Sequence, residues 1–139
     1  FLFGPPRKVR SVGIPDGKGS FGHIATVYDY PDLSVTSTGG WNMSASTPFN
    51  MRSLYVLEKG VIDMDFGREE PVMVYPDGGK AYALELPGGD GYYHELVDFV
   101  RRCEKGEPST LVSPRAAAES VRLARLEIAS ALEGEEKAL

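Results

Sequence analysis

Apolar and polar residues alternate in short bursts through the first part of the chain, and the period then changes. Residues 8–14, 22–30 and 33–38 are rich in Val, Ile, Thr and Tyr with partial two-residue alternation, and Gly, Pro and Asp separate them. Three strands are expected there, the second and third forming a hairpin through the tight turn Tyr30-Pro31-Asp32-Leu33. The stretch "GGWNMSASTPFNM" breaks the pattern and reads as a strand end plus a loop. Alternation resumes in "RSLYVLE" and "VIDMDF" on either side of a Lys59-Gly60 turn. Val61, Asp63 and Asp65 are expected on one face and Ile62, Met64 and Phe66 on the other, a hairpin with one wet face. "PVMVYP" and "AYALEL" follow, joined by Asp77-Gly78-Gly79, a strong turn signal. Short turns between nearly all these strands imply antiparallel pairing.

After Pro87 the period becomes helical. In "GDGYYHELVDFVRRCEKG" Tyr93, Leu96, Val97, Val100 and Cys103 recur at helical spacing, and Gly106 stops the run. His94 lies beside Glu95 and four residues before Asp98, the spacing of a proton relay, but His94, Asp98, Arg101 and Arg102 are assigned in preference to a solvated face opposite Leu96 and Val100. A second helix opens at Ser113-Pro114, a capping serine followed by proline at the first helical position. Ala117, Val121, Ala124, Ile128 and Ala131 make its stripe, flanked by Leu123 and Leu132; Gly134 ends it, and "EEKAL" is expected to fray. The whole is expected to be one α+β domain over residues 1–139: a mainly antiparallel open sheet of about six or seven strands with two C-terminal helices packed on one face. Two helices shield one side of such a sheet, so the other face is expected to meet another subunit or domain.

Composition narrows the function classes. A net charge of −5 with 15 scattered Lys and Arg argues against a nucleic-acid surface. The single cysteine, Cys103, excludes an internal disulfide and any cysteine-based zinc cluster. No apolar run is long enough to span a bilayer or act as a signal core, which points to a cytoplasmic setting with no membrane partner.

Gly17, Gly19 and Gly22 have the spacing G-x-G-x-x-G. A dinucleotide loop needs a helix to open at its end, because the helix N-terminus receives the pyrophosphate, whereas "HIATVYDYP" reads as a strand. A kinase-type phosphate loop does lie between strands, and Asp65-Phe66-Gly67 spells its downstream partner. No V-A-I-K strand and no H-R-D accompany them, so both matches are read as chance and Gly17 to Gly22 as a loop between the first two strands. His23 and His94, the only histidines, lack partners at metal-ligand spacing, and Ser44, Ser46 and Thr47 have no neighbouring His or Lys to activate them. No catalytic, metal or cofactor-binding residue is therefore assigned. Trp41, Asn42 and Ser44 occupy an irregular loop after a strand, and either line a sugar-like pocket or serve core and turn roles.

The order of elements resembles the C-terminal domain of the Gfo/Idh/MocA (glucose-fructose oxidoreductase and inositol dehydrogenase) family. The residues that carry the resemblance are "FGPPRKVRSV" where the chain enters the sheet, "GGWNMSAS" after the hairpin, "LEKGVIDMDF" as the central hairpin, and the ending "GDGYYHELVDFVRRCEKGEPSTLVSPRAAAESVRLARLEIASALEGE". The resemblance implies a domain that walls one side of a substrate pocket and pairs subunits through its open sheet face. In the family a separate N-terminal Rossmann domain holds NAD or NADP, with a catalytic E-K-P lysine and a histidine on a helix before the sheet. Glu58-Lys59-Gly60 looks like the E-K pair but falls in a hairpin and lacks the proline, so the catalytic lysine is not carried over. The resemblance thus implies a substrate-pocket and oligomerisation domain of an NAD(P)-dependent oxidoreductase acting on a sugar, polyol or similar hydroxyl compound. Such a domain binds no cofactor, is inactive by itself and lacks its Rossmann partner. The alternative is a free-standing α+β binding or scaffold module acting through its open sheet face.

Overall fold

The computed structural model describes residues 2–109 and 113–139. In chain order its elements are β1 (Lys8–Pro15), β2 (Phe21–Asp29), β3 (Ser34–Gly40), β4 (Arg52–Leu57), β5 (Gly60–Asp65), β6 (Val72–Pro76), β7 (Tyr82–Ala83), α1 (Gly91–Lys105), α2 (Pro114–Glu133) and β8 (Lys137–Ala138). They make an α+β fold with two antiparallel sheets of four strands, ordered β3-β2-β1-β8 and β4-β5-β6-β7, where one sheet of six or seven strands was expected. Alternation reports which face a side chain takes, not which sheet a strand joins. The partition falls where the eleven-residue loop 41–51 replaces the tight turns that force sequence neighbours to pair. Two compact units result, Ser44–Glu95 and the flanking Phe1–Met43 with Leu96–Leu139.

In the flanking unit, β1 and β2 pair with Ser11 opposite Thr26, and β2 and β3 with Thr26 opposite Ser37. The faces follow from that register. Val9, Ser11, Ile24, Thr26 and Tyr28 lie toward α2, while Arg10, Val12, Ile14, His23 and Val27 lie on the opposite side. α2 lies across β1 and reaches β2 and β8. Its ends obey local chemistry: the Ser113 hydroxyl accepts a hydrogen bond from Ala116 N, Pro114 occupies the first turn, and Gly134 closes the helix at φ 71°.

Beneath α2 the packing is small and partly polar. Val9 and Phe21 are buried there, beside buried Ser11, Thr26 and Ser130. The Ser11 and Thr26 hydroxyls share a hydrogen bond of 2.8 Å. Ser130 Oγ accepts from Ser11 N at 2.9 Å and donates to Glu135 O at 2.5 Å, so one hydroxyl joins β1, α2 and the segment that leads into β8. This corrects two expectations. The last residues do not fray: Val9 pairs with Lys137, Leu139 N donates to Arg7 O at 3.2 Å, and Lys8 meets Glu136 at 3.4 Å. The expected stripe of α2 is covered only in its second half: Ala117, Val121 and Ala124 are exposed, Ile128 and Ala131 are half-buried like Leu123, Leu126 and Glu127, and Ser130 is buried.

α1 departs further. It was expected on the sheet, yet its segment Leu96–Lys105 packs on no strand of its own unit, and Leu96, Phe99 and Val100 are exposed. Its polar side is the better covered one. After Gly106 the chain folds back, Glu107 N donates to Arg102 O, and Ser109 Oγ donates to Asp98 at 2.8 Å while Arg102 bonds both Asp98 and Glu107. The Ser109 hydroxyl, then Arg102, holds the Asp98 carboxyl below its ordinary pKa.

In the Ser44–Glu95 unit the hairpins stand where the turn residues put them. Gly60 has φ 144°, and a Cβ there would meet Tyr75 O at 2.4 Å, so only glycine fits. Asp65-Phe66-Gly67 ends β5 and turns, with Asp65 Oδ1 accepting from Gly67 N at 2.8 Å. The expected wet face does not survive, because Asp63 is buried. Arg52 sits opposite Asp65, one diagonal step from Asp63, and its guanidinium reaches both Asp63 oxygens at 3.0 and 3.2 Å. The turn sends Arg68 back to Asp63 Oδ2 at 2.7 Å and to its carbonyl oxygen at 2.8 Å.

Candidate functional site

The glycine-rich loop between β1 and β2 is closed on itself. Asp16 Oδ1 accepts from Lys18 N at 2.8 Å and from Ser20 N at 3.0 Å, and Asp16 N donates to Ser20 O. The amides that would cradle a phosphate are bound to the loop's own carboxylate, whose pKa they lower, and a strand follows. The loop therefore does not fit a dinucleotide pyrophosphate.

At the other end of the hairpin the chain leaves β3 through Gly39 and Gly40 into Trp41 and Asn42. Trp41 N donates to Gly22 O at 2.7 Å, which fixes the backbone, while the side chain stands out, the residue being 91% exposed. Asn42 curls back beside Gly22, where a Cβ would come within 3.2 Å of its own Cβ. On the face away from α2, His23 Nε2 lies 3.0 Å from Thr38 Oγ1. A Cβ on Gly40 would meet Gly22 O and His23 Cδ2 at 2.9 Å and Asn42 Oδ1 at 3.2 Å, so imidazole and carboxamide flank the same glycine.

Of the three residues picked from the sequence, Trp41 and Asn42 are thus neighbours at one corner of β2 and β3. Ser44 begins the other compact unit, where its hydroxyl bonds Ser46 at 3.1 Å and Thr47 at 2.9 Å. His94 stacks edge-on against Tyr93, and Cys103 is exposed. Among the described residues no group of three or more His, Cys, Asp or Glu side chains is placed to hold a metal ion, and no helix is long and apolar enough to cross a membrane.

Two polar clusters escaped sequence reasoning. The Arg52–Asp63–Arg68 cluster was half visible, since the Lys59-Gly60 turn sets Arg52 opposite Asp65 and hence diagonal to Asp63. The second joins Tyr28, whose hydroxyl donates to Glu127 Oε1 at 2.9 Å and shares a hydrogen bond with Ser37 at 2.8 Å. Burial raises both pKa values there, and it links residues 99 apart, for which local pattern carries no signal.

No protein-family model matches the chain, and the curated proteins contain no match to it. Among solved structures, "a putative oxidoreductase from Klebsiella pneumoniae" is similar over 99% of this chain, with a TM-score of 0.69 at 19% identity. This chain spans 45% of that one's length. At that identity the likeness establishes a shared fold.

Proposed function

We propose that this chain is the substrate-side and oligomerisation domain of an NAD(P)-dependent oxidoreductase of the Gfo/Idh/MocA type, acting on a sugar, polyol or similar hydroxyl compound. The observation that carries the reading is the fold shared over nearly the whole chain with less than half of the Klebsiella pneumoniae protein. In this reading a Rossmann domain outside the 139 residues holds NAD or NADP and supplies the catalytic lysine and histidine. The chain contributes Trp41 and Asn42 to the substrate side. Hydride transfer is the chemistry that the nicotinamide brings when bound. The closed Asp16 loop supports placing the cofactor elsewhere.

The test is an assay of the protein encoded by the full reading frame around this segment, with NAD and NADP against a panel of sugars and polyols. Turnover with one of them, and a KM raised about tenfold by Trp41→Ala or Asn42→Ala with the fold intact, is the expected result. Tight NADH binding to residues 1–139 alone, or a reading frame without a nucleotide-binding domain, overturns the proposal and leaves the free-standing module.

A further inference from the structure

We propose that His23, rather than Ser44, is the residue that works with Asn42 and Trp41, and that these three with Thr38 form a binding corner for a neutral, hydroxyl-rich ring. The substrate class rests on the function proposed above; the residue assignment rests on geometry. Gly40 is the pivot: a Cβ there would press on the His23 ring, on the Asn42 oxygen and on the Gly22 carbonyl oxygen that accepts from Trp41 N. The neighbouring Gly39 differs: a Cβ there meets nothing within 4 Å. Glycine is thus sterically required at 40 and not at 39.

The chemistry of the corner is that of hydroxyl recognition. The Asn42 carboxamide has no hydrogen-bond partner among the described residues, so a donor and an acceptor are both available. His23 spends Nε2 on Thr38 and keeps Nδ1. Trp41 has a tethered backbone and an uncovered indole, a flat apolar platform for the C–H face of a ring. None of the four side chains is a lysine or an arginine, which disfavours a phosphate or carboxylate ligand.

Trp41 is the one tryptophan of the chain, so its emission reports on this corner alone. We would titrate residues 1–139 with myo-inositol, D-glucose and, as the charged probe, inorganic phosphate, and repeat the titrations with His23→Ala, Gly40→Ala and Gly39→Ala. The expected result is a saturable change with at least one neutral probe and none with phosphate. His23→Ala should weaken binding about tenfold, Gly40→Ala should lose it, and Gly39→Ala should titrate as the parent. Should Gly40→Ala not fold, as judged by circular dichroism, His23→Ala decides. No response to either neutral probe, an unchanged His23→Ala, or preferential binding of phosphate overturns the assignment. Binding here without turnover by the full-length protein would instead reject the oxidoreductase reading and leave the corner standing.

Discussion

Asp63 is a carboxylate with a side chain only 6% exposed, kept ionised by two arginines. The hydrogen bond from Arg52, followed by that from Arg68, holds its pKa below the ordinary aspartate value against the opposing effect of burial. A folded pKa below the unfolded one means that the cluster's stabilisation is complete above about pH 4 and is lost as pH falls through the depressed value. The melting temperature of the parent should therefore drop more between about pH 5 and pH 2 than that of Asp63→Asn, which should already melt lower at neutral pH because two guanidiniums lose their counter-charge. Thermal melts at three pH values check this. Alternation placed Asp63 in water because it counts residues along a strand; the return of Arg68 through the turn at Gly67 lies outside what a period of two can express.

Elements whose determinants are local were legible in the chain. The hairpin turns at Lys59-Gly60 and Asp77-Gly78-Gly79, the Ser113-Pro114 start and the Gly106 and Gly134 stops all depend on a few adjacent residues, and all stand where their chemistry puts them. The division into two sheets and the strand β8 were not legible, because each is decided by partners far apart in sequence. Ser130 is the clearest case. As a serine within an alanine-rich helix it carried no signal, yet it satisfies Ser11 N, 119 residues away. Ser130→Ala should cost about 1–3 kcal/mol in denaturant unfolding, the penalty of a stranded buried amide, and should accelerate hydrogen exchange at Ser11. Ser113→Ala removes only a helix cap and should cost about 1 kcal/mol.

For the whole molecule, the candidate corner was legible only in part: the loop residues Trp41 and Asn42 could be picked from their irregular setting, but His23 reaches them through the β2–β3 register. The sheet face away from α2 leaves Val12, Ile14 and Val27 exposed side by side, on strands whose other face is covered. In the proposed function that face pairs subunits, so Val27→Glu should shift sedimentation from oligomer to monomer without lowering the melting temperature of the monomer, and a parent that sediments as a monomer at every concentration refutes the pairing. The antiparallel pairing of β1 with β8 has a further consequence, in time rather than in space. Lys8 and Glu136 meet across 128 residues, whereas Ser44–Glu95 pairs each strand with its neighbour. During synthesis the inserted unit can close its hairpins as it leaves the ribosome, while Lys8 and Val9 at the start of β1 wait without their partners until β8 emerges, because closing so long a loop comes last. A nascent chain stalled just short of Lys137 would thus present the unpaired Lys8–Val9 edge to its neighbours on a polysome.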